Sequence, residues 1–281
     1  MSNQYIFLSG MFRTGSNLLS SILNQNKLIY SEGISAMCRI LWDFNLSISN
    51  DDTRGDLLAV NKNDDEKIKK IIKSIFDSYY EKENKIIFDK NPSCTTKENI
   101  ELLKKYSTDK PKIIVLTRNI EDVAKSYINI LLQNGYSQND AEQSVFNFDD
   151  FGKNPLMRPV AGIMNSKINN DLADFFYIDY DDLIFNTEKV INDLYIFCNI
   201  PNFKHSYSNI EIKYPENPKY VFKNMIEVRP EISKRKIDVS LSQKALDKIN
   251  DINSLLNKIN IDPKNNDTIK EFEIFYANNT Y

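Results

Sequence analysis

The fold of this chain is constrained most by its short, unbroken apolar runs. Each run is followed by a polar turn and an amphipathic segment. The first run, at residues 5–9, ends in a glycine turn and precedes a helical pattern at 17–23. The same order recurs with runs at 85–88, 112–116 and 175–178 and helical patterns at about 96–106, 120–134 and 187–199, where Thr95 or Thr96 suits the N-cap. Strands buried on both faces have this continuous apolar character. The pattern predicts an α/β fold with a parallel central sheet and helices on both faces.

The remaining segments predict helical additions to that sheet. Segments at about 36–84 and 136–171 lack strand periodicity and carry turn residues and aromatics, which indicates helical insertions. An amphipathic pattern at 242–259 predicts a C-terminal helical tail over about 240–281. A chain of 281 residues can bury a substantial core, and we expect a single domain over residues 1–281.

The charge balance excludes a global attraction to polyanions. The chain has 36 basic and 39 acidic residues and a net charge of −3, so we expect neither a nucleic-acid partner nor an anionic membrane. No apolar stretch is long enough for a signal peptide or a membrane span. Cys38, Cys94 and Cys198 are odd in number and widely spaced, which favours a reducing compartment. We therefore expect a cytoplasmic protein.

The loop at residues 9–17 is the strongest functional signal. Gly10 and Gly15 permit a tight turn whose amide groups converge on an anion at the start of a helix. Their spacing matches a P-loop, but Ser16 stands where the P-loop lysine is expected. Arg13 lies inside the loop and can supply positive charge instead. The alternative is an ordinary turn between a strand and a helix.

Arg118 and Ser126 form a second signal. Arg118 follows the apolar run 112–116, and Ser126 lies eight residues later on the predicted helix. In a doubly wound sheet ligands bind outside the carboxyl ends of the strands, where a guanidinium can bind a phosphate. The alternative is that Arg118 pairs with Glu121 or Asp122 and that Ser126 faces the sheet.

These residues together resemble the PAPS-dependent sulfotransferases, where PAPS is 3′-phosphoadenosine 5′-phosphosulfate. The sequence Phe-Arg-Thr-Gly-Ser-Asn at 12–17 is similar to that family's 5′-phosphosulfate loop, Pro-Arg-Ser-Gly followed by two hydroxyl residues. Arg118 and Ser126 resemble the Arg and Ser that bind the 3′-phosphate. Phe12 and Asn17 depart from the family pattern, and Asn17 exchanges a hydroxyl for an amide. The motif style is closest to bacterial sulfotransferases related to tyrosylprotein sulfotransferases.

The resemblance extends over about residues 5–235. The sequence Asp-Lys-Asn-Pro at 89–92 is similar to a turn in which the lysine, here Lys90, contacts the transferring sulfate. The segment 180–201 looks like a widespread family segment that begins with a tyrosine, and 224–230 resembles a late basic segment that folds over the nucleotide. The resemblance implies a three-layer, P-loop nucleotide-kinase-like fold. It implies nucleotide contacts from Gly10, Arg13, Thr14, Gly15, Ser16, Asn17, Arg118, Ser126, Tyr180 and Arg229.

The implied reaction is in-line transfer of a sulfuryl group from PAPS to a hydroxyl or amine, which leaves adenosine 3′,5′-bisphosphate (PAP). This chemistry needs a base and cations but no metal. We expect Lys90 and Arg13 as the cations, although Lys90 also suits a solvated turn. We expect Glu32 as the base, although it also suits the surface beside a glycine turn. His205, the single histidine, matches no catalytic position and is expected to be non-catalytic.

The acceptor and two rival functions stay open at this point. Aromatic residues suit either an acceptor pocket or the core, namely Trp42, Phe146, Phe148 and Phe151. A saccharide, a lipid head group, a peptide tyrosine and a small metabolite are all compatible acceptors, and the oligomeric state is undetermined. The rival functions are a P-loop kinase, which would need a phosphate-binding lysine in the loop, and a non-catalytic nucleotide-binding protein.

Overall fold

One parallel sheet of five strands organises the part of the chain that the structure describes. The computed structural model describes residues 3–60, 65–83, 85–147, 155–212, 219 and 222–280. The strands are β1 (Gln4–Gly10), β2 (Ile29–Ser31), β3 (Ile86–Lys90), β4 (Lys112–Thr117) and β5 (Asp174–Asp179). The helices are α1 (Ser16–Leu23), α2 (Met37–Ser49), α3 (Asp51–Ala59), α4 (Asp65–Tyr80), α5 (Lys97–Tyr106), α6 (Ile120–Gln133), α7 (Gln138–Phe146), α8 (Met157–Ile168), α9 (Tyr180–Phe185), α10 (Thr187–Cys198), α11 (Gln243–Ile261) and α12 (Asn266–Thr280).

The strand order places the candidate loop at the centre of the sheet. The order is β2-β3-β1-β4-β5, and every pairing is parallel. Leu8 of β1 pairs with Lys90 of β3, and Gly10 pairs with Leu116 of β4. The carboxyl ends of these three strands therefore meet at one edge. Because the strand order reverses beside β1, this edge is where a ligand crevice is expected.

The two faces of the sheet bury separate clusters of apolar side chains. Ile6 and Leu8 pack with residues of α1, α9 and α10 on one face. Phe7, between them, belongs to the opposite cluster, which includes residues of α2, α4 to α8, α11 and α12. This alternation follows from the period of two along a strand. The predicted three-layer α/β fold with a parallel sheet and helical insertions is confirmed.

The element boundaries differ from the predicted ones by a few residues. The helix predicted at 242–259 runs to Ile261, and α12 fills much of the remaining tail. Thr96 is the N-cap of α5 as predicted, but its side chain makes no capping hydrogen bond. Across the described residues, no helix combines the length and the apolar character that a membrane crossing requires. The single domain over 1–281 stays a prediction.

Candidate active site

The loop between β1 and α1 is shaped by backbone conformations that ordinary residues disfavour. Gly10 has a φ of 116°, and a Cβ there would lie 2.1 Å from the carbonyl oxygen of Leu116. Arg13 has a φ of 61° and Gly15 a φ of 81°. The buried hydroxyl of Thr14 donates to the carbonyl of Met11 at 2.7 Å and holds the turn from within. Gly10 and Thr14 thus build the loop, and neither lines the cavity beside it.

The first turn of α1 opens onto that cavity. Its N-cap is Gly15 in the left-handed conformation, and no side chain caps the helix. The amide groups of the first turn and the positive end of the helix dipole are therefore available to an anion. Gly15, Ser16 and Asn17, which are predicted ligand contacts, all line the cavity.

Arg118 is buried beside the loop at the end of β4. Its Nη1 donates to the carbonyl of Arg13 at 2.8 Å, and its Cζ lies 4.1 Å from the centre of the Tyr180 ring. Asp122 contacts the Arg118 Nη2 at 3.8 Å, which is at the long end for an ion pair. Glu121 pairs instead with Lys125 at 2.7 Å. The guanidinium is held chiefly by the loop and by the aromatic ring.

Arg13 connects the loop with two other parts of the chain. Its Nε donates to Ser126 Oγ at 3.1 Å, and its Nη1 donates to the carbonyl of Met225. Burial, together with the positive charges of Arg235 and Arg118, lowers the pKa of Arg13 to about 10. Arg13 stays charged at neutral pH, so several guanidinium groups are crowded together. An anion between them would relieve that repulsion.

The cavity enclosed by these groups is called the loop cavity. It brings together most of the predicted ligand residues, namely Arg13, Gly15, Ser16, Asn17, Arg118, Ser126, Tyr180 and Arg229. Phe12 lines it too and packs against Tyr127, with ring centres 4.6 Å apart. Two predicted phosphate sites, from loops after different strands, therefore share one space.

A late segment, residues 225–237, covers the loop cavity. Met225, Arg229 and Arg235 line the cavity from this segment. Arg235 pairs with Glu227 at 2.7 Å, and Lys234 pairs with Asp181 at 2.8 Å. The resemblance implies that residues 224–230 of this part of the chain fold over the nucleotide, which stays a prediction. Arg235 was not among the predicted site residues, although it lies in the basic run at 234–236.

Lys90 is the last residue of β3, and its side chain reaches the start of α1. Its Nζ donates to Asn17 Oδ1 at 3.0 Å, and its backbone carbonyl accepts from the Ser35 amide at 2.7 Å. Lys90 and Arg13, the predicted pair of cations, thus contact different neighbours. Asn17, which departs from the family pattern, is the residue that connects Lys90 to the loop cavity.

The residue before Lys90 is a buried carboxylic acid, Asp89, that bonds to two other parts of the chain. Asp89 is fully buried, and its Oδ2 accepts from Ser35 Oγ at 2.8 Å and from the Tyr80 hydroxyl at 2.5 Å. Burial raises the pKa of Asp89 to about 6. Asp89, Cys38 and Cys94 form one group of potential metal ligands among the described residues, with ligand atoms within 4.8 Å of one another. The two thiols lie 3.0 Å apart, a proximity that their sequence spacing did not indicate.

The predicted base, Glu32, and the single histidine, His205, lie in different surroundings. Glu32 is half-buried after β2, and its Oε1 accepts from the Tyr30 hydroxyl. It lines neither described cavity, although Ile34, two residues later, lines the second. His205 is buried with its Nε2 2.8 Å from the Tyr195 hydroxyl, and burial lowers its pKa. His205 also lines neither cavity.

A second cavity of about 650 Å³ lies among the helical insertions and is called the helical cavity. It is lined by residues of α2, α5 and α8 and by the turn after β3. Trp42 lines it, whereas Phe146 is 1% exposed and belongs to the core. Phe148 and Phe151 lie outside the described residues. Of the aromatic residues that suit an acceptor pocket, Trp42 therefore lines a cavity and Phe146 does not.

A comparison with models of known protein families matches the part of the chain that contains this site. The model of the sulfotransferase family matches residues 5–205, which include the loop, Lys90, Arg118 and Ser126. The chain belongs to the sulfotransferase family. The relation to tyrosylprotein sulfotransferases in particular stays a prediction. No curated protein matches the chain in a sequence comparison.

Solved sulfotransferase structures share the fold at low sequence identity. The sulfotransferase domain from the Synechococcus PCC 7002 olefin synthase is 16% identical, with a TM-score of 0.51 over 90% of this chain and 94% of that one. A sulfotransferase from Alicyclobacillus acidocaldarius is 13% identical, with a TM-score of 0.50 over 78% of this chain and 88% of that one. The sulfotransferase fold therefore accommodates this divergent sequence.

Proposed function

We propose that this sulfotransferase uses PAPS as its donor and transfers the sulfuryl group to an acceptor hydroxyl or amine, which leaves PAP. The observation that carries the proposal is the convergence of two anion-binding arrangements on the loop cavity. The uncapped start of α1 provides one of them, and Arg118 with Ser126 provides the other. PAPS carries anionic groups at both its 5′ and 3′ positions, so one donor molecule would occupy both.

The side chains have distinct roles in this proposal. The α1 amides and the hydroxyl of Ser16 hold the 5′-phosphosulfate, while Arg118 and Ser126 hold the 3′-phosphate. Tyr180 and Arg229 contact the nucleotide from the side and from the late segment. Lys90 and Arg13 neutralise the negative charge that grows on the leaving phosphate.

Acceptor activation requires a base on the other side of the transferring group. We assign this role to Glu32, which takes the proton as the acceptor oxygen or nitrogen bonds to sulfur and the bond from sulfur to the phosphate oxygen breaks. These roles need no metal. A kinase would need a lysine to reach the β and γ phosphates, and Ser16 stands at that position in the loop.

Thermal unfolding with added nucleotides tests the choice of donor. PAP should raise the melting temperature more than ATP with Mg²⁺, because PAP fits both anion arrangements. A ligand at 100 times its dissociation constant adds about 2.7 kcal/mol to the free energy of unfolding. A larger shift with ATP would support a kinase instead.

Arg118→Ala tests which phosphate this side chain binds. Loss of a charge-assisted contact should weaken PAP binding roughly 10- to 150-fold, while adenosine 5′-phosphosulfate should bind almost as before. Calorimetric titration of both nucleotides measures the difference. Arg54→Ala on α3, away from both cavities, is the matched control. Equal weakening for both nucleotides would contradict the assignment.

A further inference from the structure

Hydrogen bonds connect Lys90 to the linings of both the helical cavity and the loop cavity, although Lys90 itself lines neither. Asn91 lines the helical cavity, and its Nδ2 donates to the carbonyl of Ser35 at 2.9 Å. Ser35 in turn donates its amide to the carbonyl of Lys90 at 2.7 Å. On the other side, the Lys90 Nζ bonds to Asn17, which lines the loop cavity. A molecule that contacts Asn91 in the helical cavity would therefore lie next to the residue that follows Lys90, near the proposed position of the transferring group.

The charged side chains around the helical cavity balance one another. Arg39 and Arg158 contribute positive charge, while Asp43 and Glu98 contribute negative charge. Within the described chain, Arg39, Arg158 and Asp43 form no ion pair, although Arg39 and Asp43 are one helical turn apart on α2. Such a lining offers both donors and acceptors to a ligand. It does not favour an anionic ligand over a neutral one.

An apolar acceptor would fit this lining poorly. It would cover charged groups and amides without bonding to them, and each polar group left without a hydrogen-bond partner would weaken its binding. A hydroxyl group both donates and accepts a hydrogen bond, so a ligand with several hydroxyls can satisfy guanidinium, carboxylate and amide groups together. The polar lining thus favours a polyhydroxylated ligand.

Trp42 adds a flat apolar surface to this polar cavity. Its indole packs partly against the core and also lines the cavity. A sugar ring has a face of C–H groups and an edge of hydroxyls, so it can place its face on the indole and its edge toward the charged groups. An open-chain polyol lacks such a face.

We propose that the helical cavity is the acceptor site and that the acceptor is a neutral saccharide. This inference rests on the proposed function, since the cavity acquires that role through its hydrogen-bonded connection to Lys90 and the donor site. In the reaction, a sugar hydroxyl oxygen bonds to the sulfur of the donor and PAP leaves with the electrons of the broken bond. The hydroxyl proton passes to the base. The product is a sugar sulfate ester.

The single tryptophan of the chain gives a direct measurement of occupancy. With PAP present, the fluorescence of Trp42 is recorded during titration with methyl glycosides of glucose, galactose, mannose and N-acetylglucosamine, and with maltose. Cyclohexanol is the matched probe, since it keeps a six-membered ring and one hydroxyl but lacks the other polar groups. We expect a saturable change with at least one saccharide and none with cyclohexanol at the same concentrations.

Variants and turnover then separate this inference from the proposed function. Arg158→Gln should weaken binding of the responding saccharide at least about 10-fold by calorimetry, and Arg54→Gln should not. Transfer from labelled PAPS is measured with the same panel and with glucuronic acid, tyrosine and 4-nitrophenol. Transfer only to a non-saccharide or to the anionic sugar overturns the acceptor inference and keeps the proposed function. The acceptor inference also fails if PAP raises the melting temperature but no neutral saccharide binds. Saccharide binding at Trp42 without any PAP binding or transfer would instead overturn the proposed function.

Discussion

Single side chains in this site act by joining separate parts of the chain. Arg13 links the loop to Ser126 of α6 and to Met225 of the late segment, and Lys90 links β3 to Asn17. A substitution at such a position alters several contacts at once. The role of a single side chain in donor binding is therefore best separated from its role in catalysis by measuring both donor affinity and kcat for each variant.

Glu32→Gln should lower kcat by about 10²–10⁴-fold while donor affinity stays nearly unchanged, because the amide keeps the shape but cannot take a proton. His205→Asn should leave kcat within a few fold, since His205 contacts Tyr195 and lines neither cavity. Steady-state kinetics with one identified acceptor, together with calorimetry of PAP, make the measurement. An inactive His205 variant, or a Glu32 variant that loses PAP binding in proportion to rate, would disprove the assignment.

At the scale of elements, the start of α5 shows how a distant helix can complete a local structure. The sequence predicted a capping threonine there, and Thr96 does occupy the N-cap position without capping the helix through its side chain. The Lys97 amide donates instead to the hydroxyl of Tyr276 on α12, and that hydroxyl donates to Glu98 Oε2 at 2.7 Å. Helix α12 thus stabilises the start of α5, which lines the helical cavity.

Tyr276→Phe should therefore lower the free energy of unfolding by about 1 kcal/mol, the usual effect of losing a helix cap or a hydrogen bond. Hydrogen exchange of the first-turn amides of α5 should become faster. Chemical denaturation and exchange measurements test both effects. Tyr136→Phe is the control, because Tyr136 is exposed after α6. Equal destabilisation by the two variants would mean that the Tyr276 hydroxyl has no capping role.

At the scale of the whole molecule, Asp89 connects stability to pH. Burial raises its pKa to about 6, whereas an unfolded chain has an ordinary aspartate pKa of about 3.9. Between these values the native state keeps a proton that the unfolded state has lost. The free energy of unfolding should fall as pH rises from about 4 to about 6, by roughly 3 kcal/mol from this group.

Asp89→Asn tests this dependence, because the amide stays neutral and its oxygen can still accept from Ser35 and Tyr80. The stability of the natural chain relative to the variant should decrease across pH 4 to 6 and stay level above it. Urea unfolding at several pH values gives the difference, with the exposed Asp109→Asn as control. Parallel curves for the natural chain and Asp89→Asn would show that Asp89 is not perturbed in the fold.

The local chemistry of the chain determined the fold class and much of the loop cavity. Unbroken apolar runs predict buried parallel strands, and in a parallel sheet the residues after each strand share one edge, so Arg13, Arg118 and Lys90 were expected near one another. Gly10 and Gly15 indicated the tight turn for a separate reason, which is that glycine adopts positive φ more easily than other residues.

Only the tertiary structure decided the contacts between segments far apart in the chain. Sequence spacing separates Cys38 from Cys94, Trp42 from Arg158 and Tyr276 from Lys97, yet tertiary packing brings the members of each pair to one location. The insertions lack strand periodicity, so nothing local predicts which of their faces meet. Periodicity specifies which side of an element is buried, but the partner of that side depends on packing against the rest of the chain.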